Sequence, residues 1–205
     1  MPYNILQDSD LKQLKIDFPE HFNCELKGGD YINLQGLELN KLEDIDTDKL
    51  NKAARIMRGL MFAGIEAGQS GHPGGSSSKV EQFLAITLGT MAFDPINYKN
   101  PGRDRIVWSA GHCSPGLYGG MSFIYECLRR QGYDFKNDNK IVFPENLVRF
   151  RHADGPQGHT ENYYPFSDVA TGASGHGLSA ALGMAIVHKS SGLDTKVFTF
   201  VGDDR

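Results

Sequence analysis

Two short apolar runs, Arg105-Ile106-Val107-Trp108-Ser109 and Lys196-Val197-Phe198-Thr199-Phe200-Val201, each lead directly into a glycine-containing polar turn, Ala110-Gly111-His112 and Gly202-Asp203. Runs of this length read as buried strands. Around them the apolar residues recur at helical spacing instead. Strands that alternate with helices, with polar loops after the strands, predict an α/β fold: an open, mostly parallel sheet with helices on both faces. Ligands of such sheets sit beyond the carboxyl ends of the strands. Gly111-His112 and Gly202-Asp203 both fall there.

The helical periodicity starts abruptly. From Thr47 to Ala67, residues Leu50, Ala53, Ala54, Met57, Leu60, Met61 and Ile65 mark one buried face. Thr47 is the expected cap, Asp48 suits the first turn, and the helix should stop near Gly68. Ser70-Gly71-His72-Pro73-Gly74-Gly75 reads as a tight loop. A second helix is expected behind a capping box of Ser78 and Glu81, with Val80, Phe83, Leu84, Leu88 and Met91 as its stripe. A third runs from about Pro115 to Arg130 and stops at Gly132, and a fourth, rich in small residues, covers Gly172 to Ser190. Residues 132–171 form a long polar stretch, and a connection of that length in a compact domain is usually functional or disordered.

Residues 1–46 are polar and irregular, with at most a weak strand at Tyr31-Ile32-Asn33-Leu34, and are expected to be an extension; 47–205 form the domain. The sequence stops just after a buried strand, with no helix left to cover the sheet. The expectation is a domain incomplete at its C-terminus, either truncated or completed by another chain.

The formal net charge is −4 and no basic stripe is visible, which argues against a nucleic-acid partner. No run approaches the roughly 18 apolar residues of a membrane span. The first residues carry Asp8, Asp10 and Asp17 and lack the apolar core of a secretory signal. Cys24, Cys113 and Cys127 are odd in number and lack metal spacing, so they read as free thiols in a reducing cytoplasm. The 24 glycines are many for this length, and glycine lets a backbone come close to a ligand.

His72, His112, His152, His159 and His176 lie in Gly-rich or polar segments. Any one of them could be a solvated loop residue. As a group, beside glycines and near predicted strand ends and helix starts, they suit a substrate with several hydroxyls, or an anion. Thr171-Gly172-Ala173-Ser174-Gly175-His176-Gly177 opens a helix, and N–H groups at a helix start bind phosphate. A flexible loop before a tightly packed helix would show the same glycines. Asp203 could hold Mg²⁺ against a diphosphate, or simply begin a loop. Cys113 beside His112 is not read as a nucleophile pair, because neighbours in a turn rarely aim at one another.

Ser70-Gly71-His72-Pro73-Gly74, Arg103-Asp104-Arg105, Gly111-His112, Gly158-His159-Thr160-Glu161, Thr171-Gly172-x-x-Gly175-x-Gly177-Leu178 and Gly202-Asp203 occur in this order. The ordered set, over about residues 50–205, resembles the transketolase family. The resemblance implies the thiamine-diphosphate-binding fold, with this chain as part of the diphosphate-binding domain. It implies thiamine diphosphate and Mg²⁺ (or Ca²⁺) as cofactors, and transfer of a two-carbon ketol unit between sugar phosphates in the pentose phosphate pathway. The pyrimidine-binding domain would come from a companion chain or a missing C-terminal region, in a cytoplasmic homo- or hetero-oligomer. Asp203, after Gly202, matches the family's metal-ligand Asp. His112, Gly172, Ser174, Gly175 and His176 match positions close to the cofactor diphosphate. His72 and His159 match histidines that line the substrate channel, so His72, His112 and His159 are the candidate catalytic residues.

Some positions depart from the family pattern. Its Pro-Leu-Gly-Gln-Gly loop is here Ala173-Ser174-Gly175-His176-Gly177, and Asp204 replaces the last Gly of Gly-Asp-Gly. The Asn completing the metal motif and the Glu that activates the cofactor are not in this sequence. Gly111-His112-Cys113-Ser114-Pro115-Gly116-Leu117-Tyr118 locally resembles the E1 component of pyruvate dehydrogenase, one alternative. Deoxyxylulose-phosphate synthase relatives are another, and a non-catalytic fragment that binds a partner is a third.

Overall fold

The computed structural model describes residues 8–17, 46–135, 138–193 and 195–202. In chain order the elements are α1 (Asp8–Asp17), α2 (Thr47–Gly68), the short α3 (Pro73–Ser77), α4 (Val80–Gly89), β1 (Arg105–Trp108), a 3-10 turn Gly111–Cys113, α5 (Ser114–Arg130), a second 3-10 turn Pro144–Arg149, α6 (His176–Ser190) and β2 (Val197–Phe200). The two strands are parallel and in register from Arg105 opposite Val197 to Trp108 opposite Phe200.

Alternation along β1 decides what lies on each face. Val107 points toward α6, where a Cβ on Gly177 would come within 2.9 Å of its Cγ1. Trp108 points the other way, onto Phe200 and Phe83, with ring centroids 4.4 and 6.0 Å apart. Helical elements therefore cover both faces of the strand pair. Behind Trp108 the core runs through Phe83, Phe93, Tyr125 and Phe166 to Met57 and Met61 of α2, all essentially inaccessible to water.

The helix patterns hold, with local corrections. The cap of α2 is Asp46, not Thr47: its carboxylate accepts from the N–H groups of Asp48 and Lys49 at 3.0 and 3.1 Å. The expected capping box of Ser78 and Glu81 does not close. Ser78 donates backwards to the carbonyl of Gly75 at 2.8 Å, and Glu81 is drawn off by Arg58 at 2.6 Å. Lys79 takes the cap position of α4, without a side-chain capping bond. The expected loop at 70–75 is half helical, because Pro73 at the first helical position carries the backbone angle that α3 needs. In the stretch expected to be irregular near the N-terminus, Asp8–Asp17 is helical. Tyr31–Leu34, Cys24 and the remainder of that stretch lie outside the described residues.

The long polar stretch after α5 is packed rather than disordered. Phe166 is buried, stacks on Phe93 and accepts a hydrogen bond from Trp108 Nε1 on its carbonyl at 2.9 Å. Asp168 lies alongside β1: its N–H donates to the Ile106 carbonyl at 2.9 Å, and its carboxylate accepts from the Ile106 N–H at 2.8 Å. No helix among the described residues is long and apolar enough to cross a membrane.

Candidate functional site at the carboxyl edge of the strand pair

Beyond Trp108 the chain turns sharply through Ser109 and Ala110 into the Gly111–Cys113 turn. A Cβ on Gly111 would overlap the carbonyl oxygen of Thr171 and lie 2.7 Å from its hydroxyl. Only glycine permits this approach, and it joins the strand end to the loop that opens α6. The Thr171 hydroxyl hydrogen-bonds the carbonyl of Trp108 and, at 2.8 Å, the hydroxyl of Thr160. The Thr171 N–H donates to the Thr160 carbonyl at 3.1 Å.

From Thr171 the chain passes Gly172 and Ser174 to Gly175, whose φ of +86° places it in the left-handed region just before α6. The amino end of α6 is set down on β1: a Cβ on Gly177 would lie 2.6 Å from the Cα of Ser109. The first N–H groups of a helix have no partner within it, so the start of this 15-residue helix is directed at the edge of the sheet. Ser174 and His176 are exposed there, and Gly172 and Gly175 are half-buried.

The histidines gather at this edge. His112, half-buried, meets His72 edge-on with ring centroids 4.8 Å apart. His72 is exposed at the amino end of α3. His159 is also exposed, and its Cδ2 lies 3.9 Å from where a Cβ on Gly172 would be. Its segment is tied to α5 by the Ser114 hydroxyl, which donates to the Gly158 carbonyl at 2.9 Å, and by the Tyr118 hydroxyl, which donates to the His159 carbonyl at 3.3 Å. Gly202 closes the edge from β2, 3.7 Å from the Ala110 Cβ by the same measure. Asp203 and Asp204 lie outside the described residues.

His72, His112, His159, Gly172, Ser174, Gly175, His176 and Gly202 thus come from five separate segments to one rim. Arg103-Asp104-Arg105 lies instead at the opposite, amino end of β1, with a structural task. Arg103 pairs with Asp168, and Asp104 accepts from the N–H groups of Ala92 and Lys196 at 2.8 and 2.7 Å. The sequence offered little sign of Thr160 as a brace for the loop, or of Lys79, whose ammonium is buried against Gly202. A lone lysine between Ser78 and the apolar Val80 is the only hint it gave.

Comparison with known proteins agrees with this geometry. Residues 49–199 match the family model described as the transketolase, thiamine diphosphate binding domain. One of the two subunits named for an apulose-4-phosphate transketolase of Actinobacillus succinogenes is 32% identical over 164 residues, covering 78% of this chain and 54% of that protein. The 6-deoxy-6-sulfo-D-fructose transketolase subunit SqwG of a Clostridium species is 32% identical over 157 residues, covering 75% and 51%. The chain therefore spans about half the length of these curated relatives. Among solved structures, the transketolase of Campylobacter jejuni superposes with a TM-score of 0.62 at 28% identity, covering 78% of this chain and 24% of that one. The Pichia stipitis transketolase complex with sedoheptulose 7-phosphate gives a TM-score of 0.57 at 28% identity, covering 75% and 22%. The α/β architecture is that of these neighbours, and the chain belongs to the transketolase family, as a thiamine diphosphate-binding domain.

Proposed function

We propose that this chain supplies the diphosphate-binding part of an enzyme that transfers a two-carbon ketol unit between sugar phosphates, and that a companion chain or further sequence supplies the pyrimidine-binding part. The observation that carries the proposal is the convergence of His72 and His112 with the Gly172–Gly177 loop, the amino end of α6 and Gly202 on one edge of the sheet. Two relatives that it matches over half their length are themselves named as transketolase subunits.

The residues present fit a diphosphate. Gly111 and Gly202 leave room that a Cβ would fill, and the start of α6 offers N–H groups and the positive end of a helix dipole. His112, Gly172, Ser174, Gly175 and His176 would hold the diphosphate, and Asp203, next to Gly202, would hold Mg²⁺ or Ca²⁺. When bound, thiamine diphosphate supplies the electron sink for cleaving and forming a carbon–carbon bond beside a carbonyl. The protein's own share is to orient the sugar and to handle protons at its hydroxyls. His72 and His159 are exposed at the rim and can donate to or accept from such hydroxyls in either tautomer. His112, touching His72, would link the sugar end of the site to the diphosphate end.

Calorimetric titration with thiamine diphosphate and Mg²⁺, with and without the companion chain, tests the binding claim. A coupled assay of two-carbon transfer from a ketose phosphate tests the activity. Heat in neither titration argues against a cofactor site. Decarboxylation of pyruvate in place of ketol transfer would reassign the chain to 2-oxo acid chemistry.

A further inference from the structure

We infer that Lys79 is a ligand of the cofactor diphosphate, a cation built into the site from the start of α4. The inference rests on the proposed function and deepens it. Lys79 is only 7% exposed, in the company of Val80, Phe83 and Leu84 of the core. Its ammonium rests on the backbone of Gly202: a Cβ there would lie 2.8 Å from Nζ and 3.2 Å from Cε. The same point is 3.7 Å from the Cβ of Ala110, so the charge stands between the carboxyl ends of β1 and β2. Nζ hydrogen-bonds the Ser78 hydroxyl at 3.2 Å, and no ion pair joins it to a carboxylate among the described residues.

A buried ammonium is costly unless an anion and further hydrogen bonds satisfy it. One hydroxyl leaves two of its three N–H groups open. The anion must therefore come from outside the described residues. A diphosphate at this edge, facing the α6 amino end and Gly111, brings several charged oxygens within reach of a compact point charge that suits phosphate. The sequence adds a reason for a cation here. Asp204 stands where the family pattern has glycine and brings a negative charge next to the metal-ligand position. Lys79 offsets it and keeps the site attractive to an anion.

The test is calorimetric titration of the full protein, with its companion chain if it has one, using thiamine diphosphate plus Mg²⁺ and, separately, thiamine without phosphate. In Lys79→Met, which keeps the length of the side chain and removes the charge, affinity for thiamine diphosphate falls about 10- to 100-fold, the size expected for one charge-assisted bond. Affinity for thiamine stays the same, and the loss persists in an Asp204→Gly background. Lys79→Gln is the second variant should Lys79→Met fail to fold. Wild-type affinity in the variant overturns the assignment. So does a loss that disappears with Asp204→Gly, which would make Lys79 the partner of Asp204 instead of the diphosphate. A wild-type protein that takes no thiamine diphosphate overturns the proposed function, and the assignment with it; that outcome is distinct from normal wild-type binding with an indifferent Lys79.

Discussion

The hydroxyl groups of Thr160 and Thr171 meet at 2.8 Å in a buried position, and through the Thr171 hydroxyl both are tied to the carbonyl of Trp108 at the end of β1. Their backbones are joined as well, Thr171 N–H to Thr160 carbonyl at 3.1 Å. This small brace fixes the segment carrying His159 against the loop carrying Gly172–Gly177. Replacing Thr171 by Val keeps the shape and removes the hydroxyl, which strands a buried donor and a buried carbonyl. The expected cost is about 1–3 kcal/mol of stability, read as a lower midpoint in urea unfolding, with weaker thiamine diphosphate binding in titration.

Gly111→Ala should be worse for the ligand than for the fold. Its new methyl would overlap the Thr171 carbonyl, so the loop must move off the strand end. Overpacking of this kind costs about 1–3 kcal/mol. Because the loop is the part that yields, cofactor affinity should fall well beyond what the drop in melting temperature accounts for. Unchanged affinity would show that the loop position is immaterial to binding.

Arg103 and Asp168 form a buried pair that staples the polar stretch to β1. Removing either charge alone, as in Arg103→Met or Asp168→Asn, leaves the other without its partner and should cost about 3–5 kcal/mol. The double variant should lose less than the sum of the two, and a double-mutant cycle in denaturant measures the difference. Additive losses would mean that each residue acts through its other bonds.

His72→Ala should damage turnover more than folding. The ring is exposed, and of the described contacts it meets only the edge of His112. A fall in kcat/KM of at least about 10-fold, with a nearly constant melting temperature, is expected if it serves protons or hydroxyls of the substrate. A normal rate with a large loss of stability would assign it a structural part.

His188 makes the fold sensitive to mild acid. Burial pushes its imidazole below the ordinary value, and Arg105 pushes it the same way, against a smaller pull from Asp168. The folded state thus prefers the neutral ring, which hydrogen-bonds Thr195 Oγ1 through Nδ1 at 2.6 Å. Unfolding takes up a proton, so this contribution is complete above the unfolded value of about 6.5 and is lost as the pH falls through the folded value. Urea midpoints should decline from about pH 7 to about pH 5, and His188→Gln should flatten that decline.

Much of the fold was legible because burial writes itself into spacing. The stripe of Ala53, Ala54, Met57 and Met61 announced α2, and the run Ile106-Val107-Trp108 announced a strand buried on both faces. The errors cluster where one side chain chose between nearby partners. Asp46 took the cap expected of Thr47, and Arg58 took the Glu81 carboxylate that a capping box needed. Those choices depend on residues distant in sequence or on fine distances, and spacing carries no trace of them.

By itself, the sequence determined the type of each element and which glycines and histidines stand at element ends, since periodicity and backbone freedom are local properties. Only the tertiary structure decided that these ends share one edge. Parallel pairing of β1 with β2 brings Ala110 beside Gly202, and the missing side chains of Gly111 and Gly177 let the α6 loop close onto the strand end. It also decided that Lys79, unremarkable among its sequence neighbours, is enclosed by the core with its charge held at that same edge. Desolvation depends on everything packed around a group, and no short stretch of sequence encodes it.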